Sequence, residues 1–130
     1  MVVAQWLDDM GNEVFRYAEL ARKIKEKSMA GQINWSKASF VSTFEAPLGP
    51  QGLVAIQMAN PKPGETSNSY CLYFKNEIGE TFYTLRDKDI TNVPDIKRLL
   101  QDIYSSANAM YQKSRNGAAL SNMENYLNNL

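Results

Sequence analysis

Asp87-Lys88-Asp89-Ile90-Thr91 is the one stretch of this chain whose residue types and spacing suggest chemistry. Carboxylates two residues apart can act as nucleophile, proton carrier or metal ligand. Cys71 is the only thiol, and it would need a base to become a nucleophile. The chain has no histidine, which excludes Cys–His and Ser–His arrangements together with imidazole acid–base and metal chemistry. Cys71 therefore reads as a small buried hydrophobe. A calcium loop starting at Asp87 would require Gly at its sixth position and Glu at its twelfth. Asn92 and Arg98 stand there instead. No phosphate-binding glycine loop or nucleophile elbow is present. The carboxylate pairs are near neighbours only, Asp8/Asp9 and Asp87/Asp89. The expectation is a protein that is not an enzyme, with no catalytic residue, cofactor or metal.

The segment from Asp87 to Thr91 resembles Asp-x-Asp-x-Thr, the first motif of the haloacid-dehalogenase phosphotransferases. That likeness implies Asp87 as nucleophile, Asp89 as acid–base and a Mg²⁺ ion between them. The family also needs a parallel sheet with crossover helices and further acidic and lysine motifs downstream. Residues 92–130 read as helices, so the segment reads instead as a charged loop leading into a helix opened by Pro94.

The elements around it follow from periodicity. From Val2 to Ser28, the residues Val3, Trp6, Leu7, Met10, Val14, Tyr17, Ala21, Ile24 and Ser28 fall on one helical stripe. Gly11 interrupts it and Gly31 stops it. Four strands are expected at Ser39–Ala46, Gly52–Ala59, Ser69–Asn76 and Glu80–Arg86, joined by breaker-rich links too short for parallel crossovers. The longest link, Asn60–Asn68, could be a recognition loop. Pro94 then opens a helix whose stripe runs Ile96, Leu99, Leu100, Ile103, Tyr104, Ala107, Met110 and Tyr111, ending at Asn116-Gly117. A short last helix carries Leu120, Met123, Leu127 and Leu130 on one side. The expected fold is a single α+β domain over residues 1–130: a long N-terminal helix, a four-stranded antiparallel meander, then a long and a short helix packed on the sheet. This order also resembles small uncharacterised bacterial and phage proteins built as helix, β-meander and helices, through Gly31, Ile33, Trp35, Asn76, Gly79 and the stripe around Leu99–Tyr104. That resemblance implies no activity.

Neither parity of the strands is cleanly polar. Phe40, Phe44, Val54, Ile56, Met58, Tyr70, Leu72, Phe74 and Phe82 share one; Val41, Leu53, Ala55, Cys71, Tyr73, Tyr83 and Leu85 share the other. A sheet with one wet face would alternate strictly, so the second face is expected to meet the final helix or another subunit. With 14 basic against 14 acidic side chains, bulk charge gives no pull toward nucleic acid or anionic membrane. No apolar run is long enough to cross a membrane, and the N-terminus lacks the pattern of a secretory signal, so a cytoplasmic setting is expected.

These features point to a protein-interaction protein that forms a homo-oligomer, most simply a homodimer. An adaptor, an immunity or antitoxin-type factor and a phage counter-defence inhibitor are all of this kind. Phe15, Trp35, Tyr73 and Tyr83 are the candidate contact residues. Two alternatives remain at this level. One is a small-molecule or unfamiliar catalytic domain with a pocket among Tyr17, Tyr70, Tyr73, Tyr83 and Tyr104. The other is single-stranded RNA stacked on Tyr70, Tyr73, Phe82 and Tyr83. Glu13, Glu19 and Glu26 interleave with the basic residues of the first helix, which disfavours nucleic acid.

Overall fold

The computed structural model describes every residue except Met1, Thr91 and Asn92, with side chains in the first helix described from Glu13 onward. The order is α1 (Val2–Met29), β1 (Ser36–Lys37), β2 (Thr43–Pro47), β3 (Gly52–Ala59), β4 (Ser69–Asn76), β5 (Thr81–Arg86) and α2 (Ile96–Asn128). The strands form one antiparallel meander in chain order. The class is α+β as expected, but with five strands and two helices among the described residues.

Both count differences have local causes. The expected strand from Ser39 starts only at Thr43, because Ser42 is left-handed (φ 53°) and Phe40 and Val41 sit exposed in the turn before it. A left-handed residue turns the chain out of the extended line, and the last bond toward β3 is the one the Ser42 carbonyl accepts from the Met58 N–H (3.0 Å). Ser36 and Lys37 pair instead with Glu45 and Phe44, a strand too short to show alternation. The short last helix is not separate, because α2 runs straight through Asn116 and Gly117. A mid-helix glycine costs only about 1 kcal/mol, and Ala118, Ala119 and Leu120 behind it are good helix formers. Gly11 likewise lies inside α1.

The turns are set by residues that suit them. At Asn76–Gly79 the Asn76 Oδ1 accepts from the backbone N–H of Ile78 (3.2 Å) and Glu80 (3.0 Å), while Gly79 supplies a φ of 85°. Gly31, at φ 75°, ends α1, and the Gln32 N–H closes back on the Lys27 carbonyl.

Both helices lie on one side of the sheet. Phe44, Ile56, Leu72 and Leu85 are in register across β2–β5, as are Ala46, Val54, Phe74 and Tyr83. These two rows form the floor of the core under Ile96, Leu99, Leu100, Ile103 and Ala107 of α2. Burying each large side chain among them contributes about 1.5–3 kcal/mol. The rows correct the parity expected for β5. Lys75 pairs with Thr81 and Phe74 with Tyr83, leaving Phe82 as an extra residue in a bulge. Tyr83 and Leu85 thereby join the core face rather than the outer one.

The helices run side by side in the same direction. Lys25 Nζ meets Asp102 Oδ2 at 3.2 Å, and Ser28 meets Ser106 one turn further along both helices. Ala18 and Ala21, fully buried, let the helices approach. At their junction a hydrogen-bonded chain has a fixed direction. Trp35 Nε1 donates to Ser28 Oγ (2.8 Å), and Ser106 Oγ donates to the Ile103 carbonyl (3.0 Å). A hydroxyl has one proton, so across the 2.6 Å contact Ser28 donates to Ser106.

Removing the Ser28 hydroxyl leaves the Trp35 N–H buried without a partner. Ser28→Ala is expected to lower unfolding free energy by about 1–3 kcal/mol in urea melts, and an unchanged midpoint would contradict the relay. The bulge gives a second check. Leu85→Ala is expected to cost about 2–5 kcal/mol, while Phe82→Ala, at the exposed bulge, costs under about 1 kcal/mol. Equal losses would contradict the register.

Candidate functional site

The segment that suggested chemistry lies in the β5–α2 connection. Asp87 is half-buried, with one carboxylate oxygen inaccessible and without a hydrogen-bond partner. Asp89 is exposed and lies 4.0 Å from Arg86. Thr91 falls outside the described residues. Among the described residues the antiparallel meander has no crossover helix, so the phosphotransferase likeness lacks the fold it requires. Among the described residues no cluster of three or more acidic, cysteine or histidine side chains could hold a metal ion.

Cys71 sits on the outer face of β4, two residues from Tyr73. Burial is the main influence on its thiol and pushes it above the ordinary value. Burial also raises the Tyr73 phenol, which donates to Gln57 Oε1 at 2.9 Å. A raised thiol is the reverse of an activated nucleophile.

The four expected contact residues do not share a surface. Phe15 is exposed on α1. Trp35 is buried in the core, where its indole N–H feeds the Ser28 relay. Tyr83 lies under α1, stacked on Tyr17 with ring centroids 3.7 Å apart and planes 8° from parallel. Tyr73 alone stands on the open face of the sheet. The tyrosines expected to line one pocket are equally dispersed: Tyr70 and Tyr104 pack together beneath α2, and Tyr17 and Tyr83 together beneath α1. A stacking platform for RNA would keep only Tyr73 of its four aromatics on the open face.

Among the described residues, no helix or strand packs across that open face. Thr43, Glu45, Gln57, Lys75, Thr84 and Arg86 share it with Leu53, Ala55, Cys71 and Tyr73. It is mixed rather than apolar, because the bulge moved Tyr83 and Leu85 to the other side. A shallow cleft of about 260 Å³ lies on it, lined by Phe40, Thr43, Ala55, Gln57, Tyr73, Lys75 and Thr81, while a cleft of about 400 Å³ lies on the helix side, between the Phe40–Val41 turn and α2, lined by Lys37, Phe44, Tyr104, Tyr111 and Arg115 among others.

The Asn60–Asn68 link is tied down at several points. Glu65 accepts from the Lys62 backbone N–H and pairs with Lys88, and the Lys88 ammonium is the main cause holding its carboxyl below the usual value. Ser67 accepts from Lys97 of α2.

The largest apolar exposure is elsewhere. From Gln112 onward every residue of α2 is exposed, so the helix leaves the body and continues for roughly 25 Å at 1.5 Å per residue. Leu120, Met123, Leu127 and Leu130 are 58 %, 63 %, 64 % and 86 % exposed. With about 100° per residue, Leu120, Met123 and Leu127 point roughly 180° away from Leu100, Ile103 and Ala107, the side that faces the sheet, and Leu130 follows just past the helix end at Asn128. The two sides of α2 exchange character where it departs. Toward the sheet side the arm continues with the small or polar Ser114, Ala118, Ser121 and Asn125. On the far side the equally small or polar Ser105, Ala109, Gln112 and Asn116 precede Leu120. The sequence shows this stripe, but the break assumed at Gly117 hid its orientation relative to the core.

No family model, curated protein or solved structure matches this chain. Among the described residues no helix is long and apolar enough to cross a membrane.

The thiol gives a direct check on the outer face. Alkylation of Cys71 by iodoacetamide should be slow at neutral pH and rise only above the range of a free thiol, since the raised value keeps the thiolate scarce until alkaline pH. A rate that levels off below neutral pH would reveal a stabilised thiolate and overturn this assignment.

Proposed function

We propose that this chain is a non-enzymatic protein-interaction protein whose contact element is the projecting half of α2. The observation that carries the reading is the apolar stripe Leu120–Met123–Leu127–Leu130, turned away from the core beneath the two helices. A smooth bend of the helix does not bring that side onto the sheet. Exposed apolar residues scattered singly are ordinary, whereas a contiguous stripe on an otherwise polar helix marks a binding surface. Helix-in-groove and helix-on-helix recognition both use anchors at this spacing.

The chemistry of the rest of the chain supports a binding role. Without histidine there is no imidazole to activate Cys71 or a serine. Burial disfavours the thiolate, and Asp87 and Asp89 differ in exposure and partners. The open sheet face is a weaker candidate than the arm, since over half of its residues are polar. The sheet and its two packed helices act as the scaffold that holds the arm at one end.

A photo-crosslinking amino acid at Leu127 tests the reading in the full-length protein. Irradiation in an extract of the source cell is expected to give discrete protein adducts of any mass. The same probe at Ser121, on the polar side of the arm, should give few. Equal labelling from both sides, or none from Leu127, would overturn the assignment of the arm as the contact element.

A further inference from the structure

We infer that the partner of this stripe is the same stripe on a second copy of the chain, the two arms lying parallel as a short coiled coil. The inference rests on the reading of the arm as the contact element and names its occupant. Its first support is spacing. Leu120, Met123, Leu127 and Leu130 follow the alternating three- and four-residue steps of coiled-coil seam positions. Exposed Tyr126 flanks this seam and widens the apolar arc to about 120°, a width that one helix packed alongside covers.

The second support is charge. From Asn116 to Leu130 the arm carries one charged side chain, Glu124. Recognition of an unlike helix is set by complementary charges beside the seam; the seam segment itself offers none, and Lys113 and Arg115 lie before it. In a parallel pair, each seam residue meets its own equivalent, and Glu124 lies beside the neutral Ala119 of the other copy. An antiparallel pair that keeps all four layers apolar brings the two Glu124 side chains together instead.

The third support is the position of the body. Because the seam lies roughly 180° from the sheet-facing side of α2, two parallel arms hold their sheets on opposite outer sides without collision. The fourth is helix propensity. Asn116, Gly117, Ser121, Asn122, Asn125 and Asn128 are weak helix formers, and isolated helices of this length are marginal in water. A packing partner supplies what propensity does not.

The seam from Leu120 to Leu130 spans about 15 Å, so two arms about 10 Å wide bury on the order of 300–600 Å² together. Stable interfaces begin near 1,200 Å², so the dimer is reversible. A dissociation constant of about 1–100 µM is expected.

Sedimentation equilibrium of the purified full-length protein is the test. The expected result is a monomer–dimer equilibrium in that range, weakened at least about tenfold by Leu120→Asn with Leu127→Asn. Neither residue touches the core, so near-UV circular dichroism should stay unchanged and separates lost pairing from lost folding. In a Cys71→Ser background, Leu120→Cys should form an intermolecular disulfide under mild oxidation, as parallel pairing requires. A chain that stays monomeric at several hundred micromolar, or a dimer indifferent to the double substitution, overturns the inference. If the Leu127 probe still gives adducts of other masses in extract, the arm remains a contact element for a different protein. If it gives none, both readings fall.

Discussion

The parallel contact between α1 and α2, locked where Ser28 joins Trp35 to Ser106, is the constraint on which the other features depend. It places both helices on one side of the meander. One sheet face is thereby buried and the other left without a covering element among the described residues. It also sets where α2 parts from the body, because α1 ends at Met29, close to the level of Met110, and α2 continues past it. The relay is polar but buried, so each member depends on the next for its hydrogen bond. Apolar burial supplies most of the stabilisation, while the relay fixes how far one helix can slide along the other.

The strand signals that could be read directly from residues were those with long alternation and clear turns. Gly52–Ala59 and Ser69–Asn76 form as expected, and Asn76–Gly79 turns between β4 and β5 through its own side-chain amide. Three features were not legible, each for a physical reason. A bulge at Phe82 shifts side chains by one position and reverses which residues of β5 are buried. A two-residue strand has no period. A left-handed Ser42 converts what reads as alternating strand into a turn with Phe40 and Val41 at its tip. In each case the backbone changes while the hydrophobic pattern does not.

The candidate contact residues divide in the same way. Tyr83 and Trp35 are large aromatics on apparently unused positions, yet the bulge and the Ser28 hydroxyl bring them into the interior. Phe15 and Tyr73 stay outside, on different parts of the surface. The stripe Leu120–Leu130 was visible as periodicity, but its meaning required the continuity of α2 through Gly117. Only in an unbroken helix can the direction of the last turns be counted from the first.

The margins of the sheet carry a separate consequence. β1 is two residues long and β5 is kinked by its bulge and ends in Arg86. Neither rim offers a long straight row of vacant amides and carbonyls, which is the template for strand-by-strand polymerisation and fibril growth. Association through backbone ladders is discouraged at both rims, so the exposed hydrocarbon of the arm is not accompanied by a sheet edge that could template fibrils.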